Sequence, residues 1–183
     1  MTVCAACGLP APVEQTRCGF CDAPLPAPLP AAFRAEVAGA TVLLHSHGAP
    51  ICVARRSGSG WAVVAPDGTD LFRLSPVTTA SGTTLGVTDH RDGLIGTVRL
   101  KDNGDRRAEV RDGSGETLAA AYTGGPTDLH VVGSLGRALG LVSIENDGAD
   151  ILLTENGLRL PTPLVIALAV GAAAPAHVRT RRG

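Results

Sequence analysis

Aromatic residues are scarce in this chain: Trp61, Tyr122, Phe20, Phe33 and Phe72 make up 3% of its 183 residues. That removes most of the stacking surface on which single-stranded nucleic acids are held. Lysine is rarer still, with Lys101 alone among the 16 basic residues. Seventeen acidic residues bring the net charge to −1, so no global positive field exists to gather phosphates or anionic lipid. Nucleic acid is therefore not an expected partner. The opening Met1-Thr2-Val3-Cys4 lacks the basic and apolar regions of a secretory leader, which predicts a reducing, cytoplasmic setting and cysteines to be read as thiolates. No apolar run reaches the roughly 20 residues of a membrane-crossing helix. Nucleophile elbow, zinc-hydrolase helix and dinucleotide fingerprint are all missing, and no spacing sets two carboxylates face to face.

Hydrophobic residues make up 44% of the chain and charged ones 18%, a balance that predicts folding into one ordinary domain with room for a small appendage.

Four of the five cysteines fall in Cys4-Ala5-Ala6-Cys7 and Cys18-Gly19-Phe20-Cys21, with ten residues between the pairs. Two thiolates three positions apart on a tight turn can face one cation, and two such turns complete a tetrahedral S4 site. Zinc is the expected occupant, because about twenty residues cannot bury a core unaided and metal binding would fold them. Iron uses the same ligands but wants an aromatic-shielded pocket, and only Phe20 is near. A dithiol redox pair would want a thioredoxin-like βαβ pattern. Residues 1–23 resemble the zinc-ribbon modules that open many bacterial and archaeal proteins. With only Arg17 set against Glu14 and Asp22, a structural or protein-docking ribbon is expected.

Residues 24–32 form a proline-rich linker, Pro24, Pro26, Pro28 and Pro30 excluding helix and ladder strand. As polyproline II, Pro24 to Pro30 would hold the head about 20 Å from the body.

From Thr41 onward, short apolar runs alternate with Gly, Asp and Asn turns such as Asp92-Gly93, Asn103-Gly104 and Asp147-Gly148. Twelve strands are predicted, at 41–46, 50–55, 61–65, 70–74, 83–89, 93–100, 106–111, 117–122, 127–132, 138–144, 149–154 and 157–160. A repeated unit is visible around Asp89 to Ile95 and Asp112 to Leu118, and more loosely around Asp147. So long a meander must hide its edges, and closing into an antiparallel barrel does so. After Pro161-Thr162-Pro163 an uncharged run predicts a helix at about 163–174, with Thr162 as cap and Pro175 as stop. Being apolar all round, it belongs inside the barrel.

A mainly β chain of this kind, twelve antiparallel strands around a C-terminal hydrophobic helix over residues 33–174, resembles the tubby C-terminal-like fold of phospholipid scramblases and LURP-one-related proteins. The resemblance rests on the hairpins at Asp89–Ile95 and Asp112–Leu118, the late Ile151–Leu160 hairpin and the Pro163-to-Ala169 helix. It implies a binding body without catalysis, in some relatives acting at phospholipid surfaces through Lys and Arg patches.

Arg99, Lys101, Arg106, Arg107 and Arg111 form the densest basic cluster, interleaved with Asp102, Asp105, Glu109 and Asp112. It reads as a self-compensated hairpin face or as an anion or lipid site. Residues 175–183 form a basic tail with Arg179, Arg181 and Arg182. His45 and His47 would share a face of one strand, where a small-barrel enzyme begins a metal site, with His90 or His130 to complete it; hydrogen-bonded or solvated histidines are the plainer reading. Cys52 reads as a core thiol and Ser57 to Gly60 as a hairpin loop. The expected function is an intracellular zinc-binding adaptor with protein partners, the alternatives being a peripheral binder of anionic phospholipid and the histidine-dependent enzyme.

Overall fold

In a computed structural model of the chain, described at residues 2–4, 7, 9–12, 15–101, 104 and 106–174, the turn chemistry yields fourteen strands and one α-helix. The head holds β1 (Thr2–Val3) and β2 (Pro10–Ala11). The body holds β3 (Ala32–Ala38), β4 (Thr41–Ser46), β5 (Ala49–Ser57), β6 (Gly60–Val64), β7 (Asp70–Thr79) and β8 (Gly82–Thr88). It continues with β9 (Leu94–Leu100), β10 (Arg106–Asp112), β11 (Thr117–Thr123), β12 (Asp128–Gly133), β13 (Ala138–Glu145) and β14 (Gly148–Leu153), and ends in α1 (Thr162–Ala173). Each body strand pairs antiparallel with the next, and β14 returns to pair with β3, so twelve strands close a barrel without a free edge. No helix is long and apolar enough to cross a membrane among the described residues.

Alternation decides which side chains face inward. Along β9 and β10, Gly96, Val98, Ala108 and Val110 are buried while Arg99 and Arg111 face out. A twelve-stranded bore is too wide for side chains alone to fill. It takes α1, in which every residue from Pro163 to Ala173 is buried. The helix lies mainly against β9, β14, β13, β3 and β8, and two glycines permit the approach. A Cβ on Gly96 would meet Leu164 at 3.0 Å, and one on Gly171 would meet Leu100 at 2.6 Å. The wall that α1 touches least supplies the bulk itself, through Trp61, Phe72 and Leu74.

Two expectations are corrected. Residues 157–160 are not a strand: Gly157–Arg159 form a 3-10 turn, because the chain has only a few residues in which to leave the rim of β14 and enter the bore. The missing twelfth strand is β3, where Phe33 and Ala35 face in and Arg34 and Glu36 alternate with them. Its three alanines, weak strand formers, hide that alternation behind the proline run. Strand β7 also runs on through Pro76 to Thr79, beyond where β6 pairs with it, so the absent amide there breaks no bond on that side.

The repeated unit proves to be a turn. Asp89 and Asp112 each accept the amides two and four residues on, Arg91 and Gly93 in one turn and Ser114 and Glu116 in the other. Each Asp amide bonds the carbonyl four residues on, and the fourth position, Asp92 or Gly115, has positive φ. The same backbone bonds recur at Ala65–Thr69 and Gly133–Arg137, which lack the leading Asp. Asp147 lies in a different, shorter connection between β13 and β14.

The closing seam between β14 and β3 is clamped from outside. Arg34 binds Glu145 at 2.8 Å, Asp147 at 2.8 Å and Asp150 at 2.9 Å. These carboxylates are about half exposed, so the clamp should count for less than the buried contacts of the helix. Leu164→Ala is expected to cost about 3 kcal/mol in chemical denaturation, and Arg34→Ala about 1 kcal/mol. The reverse ranking would mean that closure depends on the clamp more than on the filled bore.

Candidate metal centre

The head is built from two copies of one knuckle. Val3 pairs with Pro10 and Arg17 bridges Pro24, the same separation in each case. Cys4 donates its amide to the Leu9 carbonyl at 2.9 Å, and Cys18 donates to the Ala23 carbonyl at 2.8 Å, again at matching offsets. Each knuckle therefore turns its cysteines toward the same space. Arg17 closes the second knuckle on the Asp22 carboxylate at 3.0 Å, and Asp22 takes the positive φ that the turn requires.

The sulfurs of Cys4, Cys7, Cys18 and Cys21 all lie within 4.8 Å of one another. Two opposite pairs, Cys4 with Cys21 and Cys7 with Cys18, stand 3.7 Å apart. A tetrahedral ion with metal–sulfur bonds of ~2.3 Å would set its sulfurs ~3.8 Å apart, so the donor set fits one metal ion. Cys4 and Cys18 are buried with Ala11, Ala23 and Leu25 in a small cluster separate from the barrel core. The backbone amides of Phe20 and Cys21 point at the Cys18 sulfur and pull its pKa down to about 6. The shift favours the thiolate, the form in which cysteine binds a cation.

The head lies against the barrel instead of standing about 20 Å off it. Leu25 belongs to the head cluster and Leu29 packs on the barrel core, so the linker leucines face inward while its prolines hold an extended path. On the barrel side, Arg91 of the β8–β9 turn donates to the Cys21 carbonyl at 2.8 Å. This seam escaped the sequence reading, since nothing in a lone turn arginine names its acceptor.

The basic cluster divides between two places. On the outer face Arg111 binds the buried Glu109 carboxylate at 2.7 Å, Thr117 donates to the same oxygen at 3.0 Å, and Arg99 donates to the Ser81 hydroxyl at 2.9 Å. Lys101 and Arg107 instead border a cavity at the barrel end farthest from the head, where Arg107 donates to Thr123 at 3.1 Å. Asp102, Asn103 and Asp105 lie outside the described residues, as do the Arg106 side chain, Glu14 and the tail 175–183.

His45 and His47 do not form a pair on one strand face. His47 and Gly48 make the two-residue β4–β5 turn, with φ of 49° and 81°, because a hairpin this tight needs left-handed residues at both positions. His45 sits 3.3 Å from the Glu36 carboxylate. Among the described residues, the four cysteines form the only group of three or more side chains placed to share a metal. Cys52 is buried in the core, and desolvation pushes its thiol up to about 12, which makes it inert as a nucleophile. Ser57 and Gly60 pair across the β5–β6 turn as a hairpin loop.

The reduced full chain should bind about one metal ion, and Cys4→Ser with Cys18→Ser should abolish that binding. Because the two cores are separate, chelation should melt the head while the unfolding transition of the barrel stays in place. In the reduced, metal-free chain one thiol should ionise near pH 6, read by thiolate absorbance. Its depressed pKa makes the thiolate's stabilising contact present at alkaline pH and lost as pH falls through that value. A first thiol ionisation at the ordinary value near 9.0 would contradict the amide-stabilised thiolate.

No protein-family model and no curated protein matches the chain. A protein of Arabidopsis thaliana solved by X-ray crystallography is similar in fold, with a TM-score of 0.56 at 11% identity over 84% of this chain and 94% of that one. At that identity the likeness is one of fold.

Proposed function

We propose that this chain is a non-catalytic intracellular binding module, an adaptor in which zinc holds the head as a platform for a protein partner. The carrying observation is the convergence of four cysteine sulfurs on two knuckles, each of which leaves one large apolar side chain, Leu9 or Phe20, exposed. Phe20 is 71% exposed and Leu9 42% exposed, an unusual placement in a chain with so few aromatics. A metal that folds the head fixes the backbone under both residues, which lowers the entropy lost when a partner covers them. The barrel supports this reading because its bore is occupied by its own helix. The resemblance to tubby-like and scramblase-like barrels supports it by analogy. Photo-crosslinking of the zinc-loaded full chain from a residue beside Phe20 should trap a defined partner, and Phe20→Ser should lose it while keeping its metal. Equal trapping by wild type and Phe20→Ser would overturn the adaptor reading.

A second reading is peripheral binding to anionic phospholipid, and one observation favours it. Lys101 and Arg107 lie at the same end of the barrel at which α1 delivers the chain to its arginine-rich C-terminal residues. Surface binding of this kind is electrostatic, so liposome flotation should require anionic lipid and fade between low and physiological salt. Flotation with neutral liposomes, or none in any condition, would remove it.

A further inference from the structure

We propose that the barrel end farthest from the head holds a binding site for a small amphiphilic anion, a medium-chain carboxylate whose tail enters the bore. The site follows from the taper of α1. Its first turns carry Leu164, Ile166 and Leu168, which fill the bore, but its last turn is Gly171-Ala172-Ala173 and fills little. Leu100 and Leu85 close up against Gly171 on one side, but beside that turn a cavity of about 230 Å³ remains against the surrounding strands. The space opens to solvent at the end of the barrel, so a small ligand can enter it from there.

The lining sets the chemistry. Leu100, Leu129, Ile144 and Leu168 make the floor and sides apolar, which suits an alkyl chain. A space of this size has room for an alkyl chain of several carbons. Lys101 and Arg107 stand on the rim, tied together by the bond from the Lys101 amide to the Arg107 carbonyl at 2.8 Å. The Thr123 hydroxyl accepts from Arg107 Nε at 3.1 Å and orients the guanidinium beside the cavity. A planar guanidinium so placed recognises a carboxylate better than an uncharged head group. A cavity of about 230 Å³ suits a short-tailed ligand free in solution better than the full acyl chain of a membrane lipid. This separates the site from both readings above.

The test is calorimetric titration of the full-length, zinc-loaded protein with octanoate, octanol and acetate, without vesicles. Octanoate should bind at least about tenfold more tightly than octanol, which lacks the charge, or acetate, which lacks the tail. Arg107→Gln should weaken octanoate by about tenfold and leave octanol unchanged, since only the charge-assisted bonds are removed. Ala172→Leu should fill the cavity and abolish octanoate binding; its fold is checked by thermal unfolding, and Arg107→Gln decides the question if that variant is unstable. Absence of octanoate binding at millimolar concentration, equal binding of octanol and octanoate, or unchanged affinity in Arg107→Gln would each overturn the proposal. None of these outcomes touches the partner crosslinking at Phe20, so failure of this site and failure of the adaptor reading are told apart.

Discussion

The structure depends on one constraint: a barrel of twelve strands encloses more space than its own side chains can fill. The helix Thr162–Ala173 meets that constraint, and the rest of the body is arranged around it. The helix must be apolar on every side because it meets wall or core all round, and it must be slim at Gly171 where Leu100 and Leu85 press against it. The 3-10 turn at Gly157–Arg159 exists to bring the chain from rim to bore. The β14–β3 pairing removes the last edge, and Arg34 secures that seam at modest strength because its carboxylate partners remain hydrated.

The two ends of the barrel have different characters. At the end bearing the head, the turns starting at Ala65, Asp89, Asp112 and Gly133 share one backbone bonding pattern and are tight. One of them offers Arg91 to the Cys21 carbonyl, so the second cysteine knuckle and the barrel are joined by a bond that belongs to both. At the opposite end α1 thins to alanine and glycine, and Lys101 and Arg107 stand beside the opening. A partner engaging the head and a ligand entering the mouth would therefore meet opposite ends of one body.

Legibility in the sequence followed the range of the interactions. The cysteine quartet was readable because its geometry is encoded in local spacing, two pairs on two short turns. Eleven of the barrel strands were readable because each alternates between its own turn signals. What failed was decided at a distance. Ala32–Ala38 becomes a strand because β14 and β4 lie on either side of it, and its alanines carry no strong preference of their own. Residues 157–160 look apolar enough for a strand, but the direction of the bore decides their path. The basic cluster looked like one face, yet the mouth takes Lys101 and Arg107 while the outer wall takes Arg99 and Arg111. The repeat was half visible because only two of its four turns spell it with an aspartate.

The pairing of the first barrel strand with the last also orders events in time. Ala35 finds its partner Ala149 more than a hundred residues later, and the helix that fills the bore comes later still. During synthesis the head can fold around its metal as soon as Cys21 and its flanking residues have left the ribosome. The β3 edge, by contrast, stays open until nearly the whole chain exists, and such non-local closure is slow. The cysteine knuckles are thus complete long before the sheet is, and the alanines that make β3 a faint strand also make it a poor template for wrong partners while it waits.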